Sequence, residues 1–238
     1  MSMAWSSPEA EWVRTGSMLF DQALANLPDG DLRQPSELDG WTKAHVVSHV
    51  SANAQAIGRL LYWARTGEPT FMYSSPEDRD QEIEAGSQMN PIDLRAWWAD
   101  SESRLRMSFA DMPEEAWQQS VVTAQGREVE ATETLWMRSR EVCIHAVDLN
   151  SGVSFSDLPE DFLVRLVGEA VARHSASSRE SGIRLEAEGG RIWEVPGNRG
   201  SAQVRGPLAG VAQWLTGRGT QGVEAAQGSS LPALGKWL

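Results

Sequence analysis

The chain has 238 residues, of which 41% are hydrophobic and 11 are tryptophan; this fills one large core or two modest ones and excludes a disordered polypeptide. Its 33 acidic and 21 basic side chains give a formal net charge of −12, which excludes partners such as the nucleic-acid backbone and leaves a small molecule as the expected ligand. Met1–Trp5 carries no basic segment before an apolar run, no stretch nears the roughly 18 apolar residues of a membrane span, and Cys143 is the single cysteine, so a cytoplasmic protein whose metals are held by nitrogen and oxygen is expected.

In chain order, Ser7-Pro8 is a helix start, and Trp12, Leu19, Phe20, Leu24 and Leu27 recur at helical spacing until Pro28-Asp29-Gly30. Asp39-Gly40-Trp41-Thr42 reads as a turn with Thr42 as N-cap. Val46, Val50, Ile57, Leu60, Leu61 and Ala64 then carry a second helix to about Arg65. A long loop through Tyr73 and Pro76 precedes a short acidic helical piece at Asp80–Ala85. Asn90-Pro91 opens a third long helix with Leu94, Trp97, Trp98, Leu105 and Phe109, stopped near Pro113. Val121–Val129 reads weakly as extended chain, and Thr132-Glu133 starts a fourth long helix ending near Asn150-Ser151-Gly152.

The pattern then changes. A helix is expected from about Glu160 to His174. After it come a hairpin of Ile183, Leu185 and Ala187 with Ile192 and Val195 about Gly189-Gly190, a strand at Val204-Arg205-Gly206, a helix from Pro207 to Leu215 capped by Gly217, and a last strand at Val223. The fold expected is an antiparallel four-helix bundle over residues 5–152, followed by a small α+β domain over 153–238.

Only four histidines occur. Glu141 and His145 are four residues apart, so at ~100° per residue they lie ~40° from each other on one face, with Arg138 and Asp148 on the same strip. An apolar strip of Leu135, Val142, Ala146 and Leu149 adjoins it, so these polar groups point partly inward, where a carboxylate and an imidazole need a partner. On the second helix His49 lies ~80° from the apolar stripe and His45 ~120°, which makes His49 the inward residue. Two histidines and one carboxylate from facing helices form the ligand set of an open catalytic zinc site. By spacing alone, an ordinary hydrogen-bonded pair on a helix surface stands equally open. Cys143 points away from the strip and reads as a packing residue. Trp63, Trp97 and Trp98 read as core aromatics, and His174 as facing solvent or complementing a helix dipole.

Four segments, GWTKAHVVSHV at 40–50, MYSSPEDRDQEI at 72–83, TAQGREVEATETLWMRSREVCIHAVDL at 123–149 and GPLAGVAQWLTGRGTQGV at 206–223, resemble the mycothiol-dependent maleylpyruvate isomerase family. The likeness is poorest around residues 174–203. It implies a DinB-type metal-binding bundle joined to a small C-terminal α+β domain, metal ligands at His49, Glu141 and His145, and a functional arginine at Arg218. The activity implied is conversion of maleylpyruvate into its trans isomer fumarylpyruvate, in aromatic degradation, with mycothiol and a divalent metal, zinc above others, as cofactors.

In such a reaction a thiolate adds to the carbon–carbon double bond, the resulting single bond rotates, and elimination restores the alkene, so the protein needs no cysteine nucleophile of its own. The metal either holds the thiolate or polarises the substrate carbonyl. Two substrate carboxylates call for cationic clamps; Arg218 is the first candidate, and Arg79 and Arg138 are further ones. The competing fates are capping of its own helix for Arg218 and surface ion pairs for the other two. Asp148 is a candidate to orient His145. Two other functions fit the same ligands: a thiol S-transferase, distinguished by its substrate, and a non-enzymatic metal-binding module, distinguished by metal binding without thiol affinity.

Overall fold

Ser7, Thr42, Ser75 and Asn90 each accept a hydrogen bond from the backbone N–H three residues on, and three of them are followed at once by proline. They start α1 (Pro8–Ala25), α2 (Lys43–Thr66), α3 (Pro76–Ser87) and α4 (Pro91–Ala110). At α2 the cap is reciprocal, because His45 Nδ1 accepts from the Thr42 N–H at 3.2 Å in the role usually taken by Glu or Gln. Gly67, with φ of 76°, ends that helix in the left-handed conformation. A short antiparallel pair, β1 (Ser120–Val122) and β2 (Glu128–Glu130), precedes α5 (Glu133–Asp148).

The chain is described here from a computed structural model covering residues 3–176, 181–226, 229–235 and 237. It divides into two units, Met1–Val153 and Ser154–Leu238. In the first unit α1 packs on α5, and α2 packs on α4 and α5. Phe109 lies between the rings of Trp5 and Trp117, at 5.0 and 6.0 Å. Gly16 lets α1 approach α5: a Cβ there would stand 2.5 Å from Val142 and 2.6 Å from the Cys143 sulfur. The buried thiol of Cys143 thus faces α1, and burial pushes its pKa up, so it is a packing group.

The expected loop through Pro76 is corrected here, because the helix begins at that proline. The Ser75-Pro76 start is the same signal as Ser7-Pro8, but α3 buries only Ile83 among its large side chains and so shows no apolar stripe. It is held to α2 by a hydrogen bond from Ser48 Oγ to the Ile83 carbonyl at 2.8 Å. Of the expected core aromatics, Trp98 is buried, whereas Trp63 and Trp97 are half-buried.

In the second unit, α6 (Glu160–Ser175) and α7 (Leu208–Leu215) accompany a sheet of β3 (Ser181–Ala187), β4 (Arg191–Val195), β5 (Arg199–Gly206) and β6 (Glu224–Ala225), in the order β4-β3-β5-β6. β3 and β5 are parallel and the other pairs antiparallel. Ile183, Leu185, Ala187 and Val204 are buried. The β3–β4 turn uses Gly189 and Gly190 at φ of 86° and 83°, which a side chain would strain. β5 begins five residues earlier than its sequence suggests, at Arg199, because its early residues are exposed and carry no apolar alternation. Residues 177–180, inside the stretch of poorest likeness, lie outside those described. His174 departs from expectation: it is buried, and its Nε2–H donates to the Leu215 carbonyl at 2.9 Å, so it ties α6 to the end of α7.

Candidate metal centre

His49 on α2 and Glu141 and His145 on α5 bring one donor atom each into a cluster whose members all lie within 4.8 Å of one another. Glu141 Oε2 is 2.8 Å from His49 Nε2 and 3.3 Å from His145 Nε2. The imidazoles stand edge to face with centroids 5.0 Å apart, and Trp41, from the turn before α2, packs edge-on against His49 at 5.4 Å. His49 is 7% exposed, so one side of the cluster is sealed. His145 is oriented from behind: its Nδ1 bonds Asp148 Oδ2 at 2.8 Å, which leaves Nε2 to face the cluster. Asp148 is fully buried, one turn further along the same helix.

The donor set fits a divalent cation. Tetrahedral zinc with bonds of about 2.0–2.2 Å sets neighbouring donors roughly 3.3–3.6 Å apart; the Glu141–His145 separation matches this, and the shorter Glu141–His49 separation is that of a hydrogen bond which a cation would replace. The electrostatics agree. Burial raises the Glu141 carboxyl, yet the charges and hydrogen bonds of His49 and His145 outweigh it and hold it well below the usual range. Burial lowers His145, but hydrogen bonds and charge from Asp148 and Glu141 push it up to about 9. Burial also lowers His49, and the charges of His145 and Arg79 keep it below its ordinary value despite Glu141. Glu141 and Asp148 supply the negative charge that attracts a cation, and a bound ion would take the place of the proton His145 holds, since an imidazole ligates only when neutral.

The remaining candidates separate. His45 stays away from the cluster: its Nδ1 caps α2 and its Nε2 pairs with Glu84 at 3.1 Å. Arg79, half-exposed on α3, lies at the site, with Nη2 3.5 Å from His49 Nδ1 and Nη1 2.8 Å from Asp80. Arg138 is corrected as a substrate clamp, because its guanidinium is fully buried and occupied by Val50, Asn53 and Glu102. Arg218 belongs to the second unit, on the turn after α7; its Nη1 donates to the Thr216 carbonyl at 2.8 Å and its Cζ lies 5.8 Å from the Trp237 ring.

Sequence reasoning passed over Tyr73. Its ring packs against the core beneath Arg59, and burial together with the negative charge of Glu141 pushes its phenol up to about 12. The signal was its place in the same short segment as Arg79. Replacing Asp148 with Asn is expected to weaken metal binding about 10–100-fold by loosening the hold on His145, as read by competition with a chromophoric chelator.

A sequence model of the mycothiol maleylpyruvate isomerase N-terminal domain matches residues 13–150. Among solved structures, a crystal structure of the mycothiol-dependent maleylpyruvate isomerase is 37% identical to the chain, with a TM-score of 0.91 and 100% of both chains covered. A crystal structure of a histidine-to-alanine mutant of the mycothiol-dependent maleylpyruvate isomerase is also 37% identical, with a TM-score of 0.90 and the same coverage. No curated protein matches.

Proposed function

The chain belongs to the mycothiol-dependent maleylpyruvate isomerase family, and from that membership we propose that it isomerises maleylpyruvate to fumarylpyruvate, with mycothiol and a divalent metal held by His49, Glu141 and His145. The observation that carries the reading is the convergence of these three donors, in a chain alike over its full length to an isomerase of that name. Two imidazoles and one carboxylate favour zinc and leave a coordination position for a ligand. When bound, the metal supplies positive charge that favours a thiolate or polarises a carbonyl, and the thiol supplies the nucleophile.

The chain's own residues hold and orient. Asp148 fixes the ring of His145 so that Nε2 faces inward. Trp41 covers His49 and excludes water from that side. Arg79, with its guanidinium at the edge of the cluster, is assigned to an anionic group of substrate or thiol. Arg218, in the TGRG stretch that resembles the family, is assigned to a substrate carboxylate. With a thiol cofactor and a lone buried cysteine, the setting proposed is the reducing cytoplasm, in the breakdown of aromatic compounds. No helix among the described residues is long and apolar enough to cross a membrane.

The test is an absorbance assay of the metal-loaded protein with maleylpyruvate and mycothiol. Thiol-dependent formation of fumarylpyruvate is expected. Absence of product with the metal fully loaded rejects the activity, and turnover of another electrophile under the same conditions would assign the chain to thiol transfer.

A further inference from the structure

One turn before Glu141 on α5, the guanidinium of Arg138 makes three bonds, all to other helices. Nη1 donates to the Val50 carbonyl and to Asn53 Oδ1 on α2, both at 2.9 Å, and Nη2 donates to Glu102 Oε2 on α4 at 2.6 Å. The other Glu102 oxygen accepts from Ser17 Oγ on α1 at 2.6 Å. Its Cζ also stands 5.6 Å from the Trp98 ring. All four long helices of the unit therefore meet at one ion pair, in which Arg138 is 0% and Glu102 14% exposed at the side chain.

We propose that Arg138 is a positioning residue for the metal centre, fixing α2 against α5 at the level where His49 and Glu141 must meet. The inference rests on the metal reading above. Val50 is the residue next to His49, and Arg138 lies three positions before Glu141, so the brace joins the two backbones beside the donors they carry. Metal–ligand distances tolerate only about 0.2 Å of error, and donors from two separate helices inherit any slip between them. A buried Arg–Glu pair gives little net stability over apolar groups of the same size, because desolvation offsets the attraction; its directional bonds instead select one register.

The test compares the wild-type protein with the double variant Arg138→Met/Glu102→Met, which removes both charges together and leaves neither buried alone. Three readouts are taken: the melting temperature without metal, zinc affinity by chelator competition, and the visible absorption of the cobalt(II)-substituted protein. The double variant is expected to melt near or above the wild type while binding zinc at least about tenfold more weakly, with a changed cobalt spectrum. Wild-type affinity and spectrum in the double variant overturn the proposal. Arg138→Lys keeps the charge opposite Glu102 but not the simultaneous reach to Val50 and Asn53, so it is expected to fall between the two. It decides the question if the double variant does not fold: wild-type affinity in Arg138→Lys also overturns the proposal. A wild-type protein that binds no divalent metal overturns the metal reading and the brace with it, whereas equal binding by wild type and variants overturns the brace alone.

Discussion

Replacing His49, Glu141 or His145 with alanine, one at a time, is expected to strip the purified protein of metal and to reduce isomerase turnover to background. Each is one of the three donors that meet in the candidate site among the described residues. Structural zinc sites with four ligands bind with about 10–16 kcal/mol, so about 3 kcal/mol goes with each donor, a loss of ~10²-fold or more in affinity. His45→Ala serves as the internal control. It removes the His45 bond to the Thr42 N–H and the contact with Glu84, which costs about 1 kcal/mol of helix stability, yet it leaves metal content as in the wild type. Elemental analysis of the four variants beside the wild type reads this directly. Equal metal loss from His45→Ala would mean that the assignment of helix faces is mistaken.

Arg218→Ala is expected to separate binding of the metal from turnover. Metal content should stay at the wild-type level, while kcat/KM falls about 10²–10³-fold, the loss that follows when a charge-assisted contact to a substrate carboxylate is truncated. Arg218→Lys should recover part of it, since a point charge remains but the planar fork does not. The arginine also donates to the Thr216 carbonyl within its own turn, so the melting profile must be followed alongside. Unchanged kinetics with an altered melting profile would make Arg218 a structural cap only.

Much of the first unit was legible because its signals are local. The N-caps at Ser7, Thr42 and Asn90, two of them followed by proline, and the apolar periodicity behind them, need no knowledge of the rest of the chain. The spacing of Glu141 and His145 and the offset between His45 and His49 are likewise properties of single helices, so the faces that carry them could be read from the sequence.

What escaped the sequence depends on partners far along the chain. Periodicity aims Arg138 inward but does not reveal that Glu102, 36 positions away, awaits it there. Inwardness was therefore mistaken for access to substrate. His174 was misjudged for the same reason, since its acceptor, the Leu215 carbonyl, lies 41 positions on. Tyr73 carried no periodic signal beyond its place beside Arg79 in one segment, because a loop has no period and its relation to Glu141 is purely tertiary. The start of β5 failed locally instead, as little apolar alternation among its first, mostly exposed residues marks where it begins.

The most direct measurement is anomalous X-ray diffraction at the metal absorption edge from crystals of the metal-loaded protein. The account predicts a single strong peak within bonding distance, about 2 Å, of His49 Nε2, a Glu141 oxygen and His145 Nε2 together. A peak elsewhere, or none at that cluster in protein shown by elemental analysis to carry stoichiometric metal, would contradict it.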